Sequence, residues 1–152
     1  MVLIERVRKI KLFRLFVVGL RVILGLSFIY PSLPKIMGER FTILGPENPV
    51  GYFFECMYAT GFYWNFLGYA QLITGLLLIT QRWALAGALI FMPIIINIFV
   101  ITVSIGFQGT PYIVFMMMMG GLGLLVWDYK KLRPIFEKDN QHKNIGDRTV
   151  HK

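Results

Sequence analysis

Residues 14–35, RLFVVGLRVILGLSFIYPSLPK, form an apolar run with a basic residue at each end and one more, Arg21, inside it. Seven residues carry an α-helix through almost two full turns, so Arg14, Arg21, Phe28 and Lys35 share one stripe. At about 1.5 Å per residue, Arg14 and Lys35 are roughly 30 Å apart, the thickness of a hydrocarbon core. Arg21 then lies about 10 Å inward from Arg14. A segment of this kind fits a bilayer, and the composition requires one. The chain has 152 residues, of which 56% are hydrophobic and 16% charged. A water-soluble domain of that size cannot hide so much apolar surface.

The spans follow from hydropathy and turn chemistry. The first covers residues 11–36, with Pro31 and Pro34 expected to kink or end it. Asn48-Pro49 then reads as an N-cap and first helical residue, opening a short helix over 49–59. It carries Tyr52, Phe53, Phe54, Met57 and Tyr58 with a single acid, Glu55, a composition suited to the membrane interface. Thr60-Gly61 breaks the chain. Spans over 62–80, 83–105 and 111–127 follow, separated by Gln81-Arg82 and by GFQGTP, where Thr110 caps and Pro111 starts the last helix. The expected fold is an all-α membrane protein: a four-transmembrane-helix bundle over 1–128 with a short interfacial helix between the first two spans. From Asp128 an interfacial turn and a polar, disordered tail over 129–152 are expected.

Charge gives orientation. Thirteen of the sixteen Lys and Arg lie before the first span, at Arg82, or in the tail, leaving only Lys35 and Arg40 for the other face. This asymmetry predicts a multi-pass protein of the bacterial cytoplasmic (inner) membrane with both termini in the cytoplasm. It also accounts for the net charge of +8 without nucleic acid as a partner. The basic, apolar start reads as a retained helix, because Arg21 interrupts the run and no small-x-small cleavage site follows.

The remaining residues exclude several chemistries. Cys56 is the single cysteine and both histidines, His142 and His151, fall in the tail. No intramolecular disulfide, dithiol relay, His-ligated intramembrane haem or metal cluster can be assembled from such a set. Paired carboxylates, a Ser/His/Asp set and a phosphate loop are all missing, so no catalytic residue is assigned. The methionines at 116–119 point all around a helix and read as apolar filler rather than a copper path.

Five polar groups in or beside the spans are the candidate ligand-binding residues. Arg21 is the sharpest, because charge at depth costs at least a few kcal/mol; it reads as a ligand for an anion, a quinone oxygen or a partner carboxylate, or as a structural residue that snorkels toward the inner headgroups or pairs with Asp128. Gln71 shares a face with Gly68 and Gly75, where a neighbouring helix can approach closely, so its amide reads as a hydrogen bond across helices or as a ligand contact. Asn97 follows Pro93 by one turn and satisfies either freed backbone or a ligand. Lys35 and Glu55 are placed at an outer pocket mouth, where Glu55 either pairs with Lys35 or faces water.

The segment GLRVILGLSFIYPSLPKI resembles the opening helix of the DoxX family, with the match falling on Arg21, Gly25 and Lys35. LGYAQLITGLLLITQRWA is similar to that family's second helix and turn at Gly75, Leu77 and Arg82. The resemblance covers about residues 19–127. The family often has a glutamate where Gln71 stands, so a proton-carrying role does not transfer to this position. Pro31-Ser32 and the aromatic stretch FFECMYATGFYWNFLG also depart from its pattern. The family's associations are redox ones, with thiosulfate:quinone oxidoreduction and with superoxide-detoxifying and sulfur-transferring enzymes. The resemblance therefore implies a small accessory protein of a redox-linked membrane system, with a quinone or lipid-like ligand between helices and membrane or peripheral protein partners. The alternative reading is an assembly factor, chaperone or scaffold with no small-molecule ligand. Transport needs a continuous polar path, for which the polar groups are too few. Oligomeric state is not specified.

Overall fold

A computed structural model describes the backbone over residues 10–148 and side chains over 10–131. Its five helices are α1 (Lys11–Met37), α2 (Pro49–Ala59), α3 (Phe62–Ile79), α4 (Ala84–Ser104) and α5 (Thr110–Arg148), with no strand among the described residues. Four of them, α1, α3, α4 and the part of α5 over Thr110–Lys131, are long and apolar enough to cross a membrane. At most a third of each span is buried by protein. Leu12, Leu15, Ile23, Phe62, Tyr112 and Met116 are more than 60% exposed, an apolar shell suited to a lipid bilayer. The fold is therefore an all-α, multi-pass membrane bundle.

Residue size sets the order of the helices. α1 and α3 make the closest pair, because glycines meet on both sides of their seam. A Cβ at Gly25 would lie 2.8 Å from the Gly75 carbonyl, and one at Gly75 would lie 2.7 Å from the Gly25 carbonyl. Nearer the α2 end, a Cβ at Gly68 would meet Lys35 Cβ at 2.8 Å. This is the small-residue face expected around Gln71. α4 folds back on α3 through a tight turn, with Gly87 against the Leu78 backbone, and α5 closes the bundle with Gly121 against the Phe91 ring. Where the four helices meet, Phe28, Leu78, Phe91, Ile95 and Leu124 are fully buried. The Phe28 and Phe91 rings are 4.4 Å apart. This packing fills the middle of the bundle, and the buried charged groups lie toward its two ends.

Two helix ends differ from expectation. Pro31 and Pro34 lie inside α1 without ending it. The helix stops at Gly38, whose positive φ of 69° lets Glu39 N–H reach the Pro34 carbonyl at 2.8 Å, a glycine-capped terminus. At the other end of the chain, the expected turn after Trp127 is replaced by continued helix through Arg148. Continuation has a physical reason: helical periodicity carries Asp128 to the inside of the bundle, where it is 4% exposed. The short helix α2 starts as expected, with Asn48 Oδ1 accepting from Val50 N–H at 2.9 Å and Pro49 in the first position.

Candidate functional sites at the two ends of the bundle

At one end, Arg21 of α1 is 7% exposed and is held by groups from two other helical segments. Its Nη2 donates to Asp128 Oδ2 of α5 at 2.5 Å, and its Nη1 donates to Gln81 Oε1 at 2.8 Å. Asp128 also pairs with the exposed Lys131 at 3.2 Å. Gln81 sits in the α3–α4 turn with φ 56°, the single non-glycine residue with positive φ among those described. A left-handed glutamine costs backbone energy; the turn places its amide where Arg21 needs an acceptor, and its own Nε2 donates to the Ile79 carbonyl at 3.2 Å. Arg21 Nε is buried without an acceptor. Beside this cluster opens a cavity of about 370 Å³ lined by Arg14, Val17, Val18, Arg21, Gln81 and Trp127.

At the other end lies Lys35, whose aliphatic stem packs on Gly68 and which is 4% exposed. Its Nζ donates to the Pro31 carbonyl one turn back, at 2.7 Å. No carboxylate of the described residues pairs with it. Aromatic rings replace one: Nζ is 4.4 Å from the Phe41 centroid and 5.3 Å from the Trp64 centroid. Trp64 is 1% exposed and fixed by its Nε1–H to the Glu39 carbonyl at 3.0 Å. Phe54 of α2 stacks on Phe41 at 4.7 Å and meets Trp64 and Phe107 edge-on. A cation enclosed by aromatic faces gains about 0.5–2 kcal/mol from each well-placed ring. A cavity of about 570 Å³, lined by residues 40–46 and Glu55, opens against the same Phe41.

Of the five candidate residues, Arg21 and Lys35 are each built into an enclosed site, at opposite ends of α1. The expected Lys35–Glu55 pair is not formed: Glu55 Oε1 accepts from Arg40 at 2.8 Å instead. Arg40 is the nearer cation on the surface above α2, whereas Lys35 is turned inward under the rings. With side chains 66% and 39% exposed, the Arg40–Glu55 pair contributes at most about 1 kcal/mol. Gln71 is buried on the α1-facing side of α3, with Oε1 lacking a partner. It lies ten residues from Gln81, about 15 Å along the helix, and does not join Arg21. Asn97 is exposed on the outer face of α4 and lines no shared cavity with Arg21 and Gln71. It makes no hydrogen bond among the described residues, so it does not repair the backbone opened by Pro93. Cys56 is exposed on α2 rather than packed. Among the described residues no group of three His, Cys, Asp or Glu is placed to hold a metal.

Gln81, Phe41 and Trp64 are the site residues that sequence reasoning missed. Gln81 was legible only as a turn residue; the aromatic pair was legible as interface-seeking, without its lysine.

These features define a class: a four-span helical membrane protein with a buried cation at each end. The chain belongs to the same family as the uncharacterized protein YwoB of Bacillus subtilis (strain 168), to which it is 31% identical over 132 residues, 84% of this chain and 77% of the relative. No protein-family model and no solved structure matches the chain.

Proposed function

We propose that this chain is an accessory protein of a redox-linked membrane system, of DoxX type, that binds the oxygenated ring of a quinone or similar lipid-like molecule beside Lys35. The observation that carries the reading is the buried Lys35 ammonium, which has one backbone acceptor, no carboxylate and two aromatic walls. An ammonium so enclosed keeps donors to spare. A carbonyl oxygen in the plane of a flat ring satisfies them while the ring packs against Phe41, using apolar and polar contacts together. The redox assignment is supported by the resemblance of the first two spans to the DoxX family. Orientation is supported by the charge asymmetry, which puts both termini on the cytoplasmic side of a bacterial inner membrane and this lysine near the outer one.

Quinones quench nearby indole fluorescence, so a short-chain quinone titrated into the detergent-purified protein is expected to quench its tryptophan fluorescence saturably. Lys35→Met preserves the stem and removes the donors; it is expected to weaken binding about tenfold or more, the worth of a hydrogen bond to a charged donor. Equal quenching of parent and variant would sink the reading.

A second reading, an assembly factor or scaffold for other membrane proteins, is favoured by Asn97. Ser27, Ser32, Thr74, Thr102 and Ser104 each donate to a carbonyl of their own helix, but the Asn97 amide faces outward unsatisfied. In lipid such an amide favours a partner helix. A photo-crosslinker at residue 97 is expected to capture one specific membrane protein under this reading, and only lipid under the first.

A further inference from the structure

We infer that the cavity between Arg14 and Trp127 is a binding site for a phosphate oxyanion, the headgroup of an anionic phospholipid in the leaflet on that side. Three observations converge on it. The first is charge: Arg14 lines the cavity without an acceptor among the described residues, and Arg21 and Lys131 share the single carboxylate of Asp128. These three cations and one carboxylate sum to +2. The second is unused hydrogen-bonding capacity. Arg21 spends Nη1 on Gln81 and Nη2 on Asp128, while its Nε–H is enclosed with no partner. A buried donor in that condition is costly, and a guanidinium fork suits phosphate oxygens.

The third observation is the shape and polarity of the wall. Val17, Val18 and the Trp127 ring give the lining its apolar surface, while Arg14, Arg21 and Gln81 give it polar groups. An amphiphile meets both surfaces at once. Arg14 and Arg21 are seven residues apart on α1, so the cavity spans about 10 Å of membrane depth, the region where headgroup gives way to acyl chain. Its volume of about 370 Å³ falls within the usual size of a small-molecule site. Basic pockets between spans hold lipid headgroups for these reasons. The site is distinct from the one at Lys35, at the opposite end of α1, so each can fail without the other.

The test is native mass spectrometry of the full chain in a neutral detergent, titrated separately with short-chain phosphatidylglycerol, short-chain phosphatidylcholine and inorganic phosphate. Phosphatidylglycerol is expected to add saturably, and phosphatidylcholine, whose phosphate carries its own cation, much more weakly. Arg14→Gln removes an exposed side chain that the fold does not need, and is expected to weaken phosphatidylglycerol binding roughly fivefold or more, the scale of one basic residue at an anionic surface. Arg82→Gln, an exposed charge at the same end that does not line the cavity, is expected to leave binding unchanged. If inorganic phosphate displaces the lipid, the oxyanion site stands and its source is free phosphate; if it does not, the source is the lipid. Equal addition of both lipids, or binding indifferent to Arg14→Gln, would overturn the proposal.

Discussion

Asp128→Ala is expected to destabilise the bundle by about 3–5 kcal/mol, because it leaves Arg21 charged and buried with only Gln81 as acceptor. The Arg21 and Asp128 side chains are 9% and 5% exposed, so solvent screens the loss little. Reversible unfolding in mixed micelles, followed by helical circular dichroism, measures the effect. Asp128→Asn keeps an oxygen for Nη2 and is expected to lose clearly less. The double variant Arg21→Met/Asp128→Leu is expected to recover most of the stability, since a buried ion pair replaced by apolar groups of similar volume is commonly neutral. If Asp128→Ala stays within about 1 kcal/mol of the parent, the pair belongs with exposed ones and Arg21 is solvated in the membrane.

The second large effect is expected at the α1–α3 seam. Gly75→Ala places a methyl group 2.7 Å from the Gly25 carbonyl and 2.7 Å from Ile29 Cγ1. The obstruction is partly backbone, so no rotamer change removes it, and the helices must separate. Overpacking of this kind costs about 1–3 kcal/mol. Gly123→Ala is the internal comparison: it lies within α5, where a Cβ meets nothing within 4 Å. There the helix propensity of alanine is expected to stabilise by about 0.5–1 kcal/mol. The same unfolding measurement should therefore move in opposite directions for two identical substitutions. Similar shifts in both would mean that the seam is not closed as described.

The architecture was readable from the sequence because its determinants are local. Apolar length sets the spans, Asn48-Pro49 sets the start of α2, and the spacing of Gly68 and Gly75 marks a helix-facing stripe. The sites were readable only in part. Arg21 announced itself by the cost of charge at depth, and pairing with Asp128 was one of its named fates; Gln81 was hidden because its role depends on a left-handed turn. Lys35 was legible as a pocket-mouth residue without its surroundings, because its two rings come from the loop after α1 and from α3 and no periodicity links them. Asn97 was misplaced for another reason. α4 is apolar all round, so its pattern carries no inside or outside, and the facing of a lone amide cannot be read from it.

The ion pair joining Arg21 to Asp128 spans 107 positions of chain, and this separation has a consequence for biogenesis. Spans emerge from the ribosome and enter the bilayer in order, so Arg21 arrives in the membrane well before its carboxylate has been synthesised. Gln81 follows next and offers the waiting guanidinium one neutral acceptor at the turn between α3 and α4. Full compensation comes only when the last span is in place. A nascent bundle lacking α5 therefore holds Arg21 without its carboxylate, and a bundle containing α5 does not.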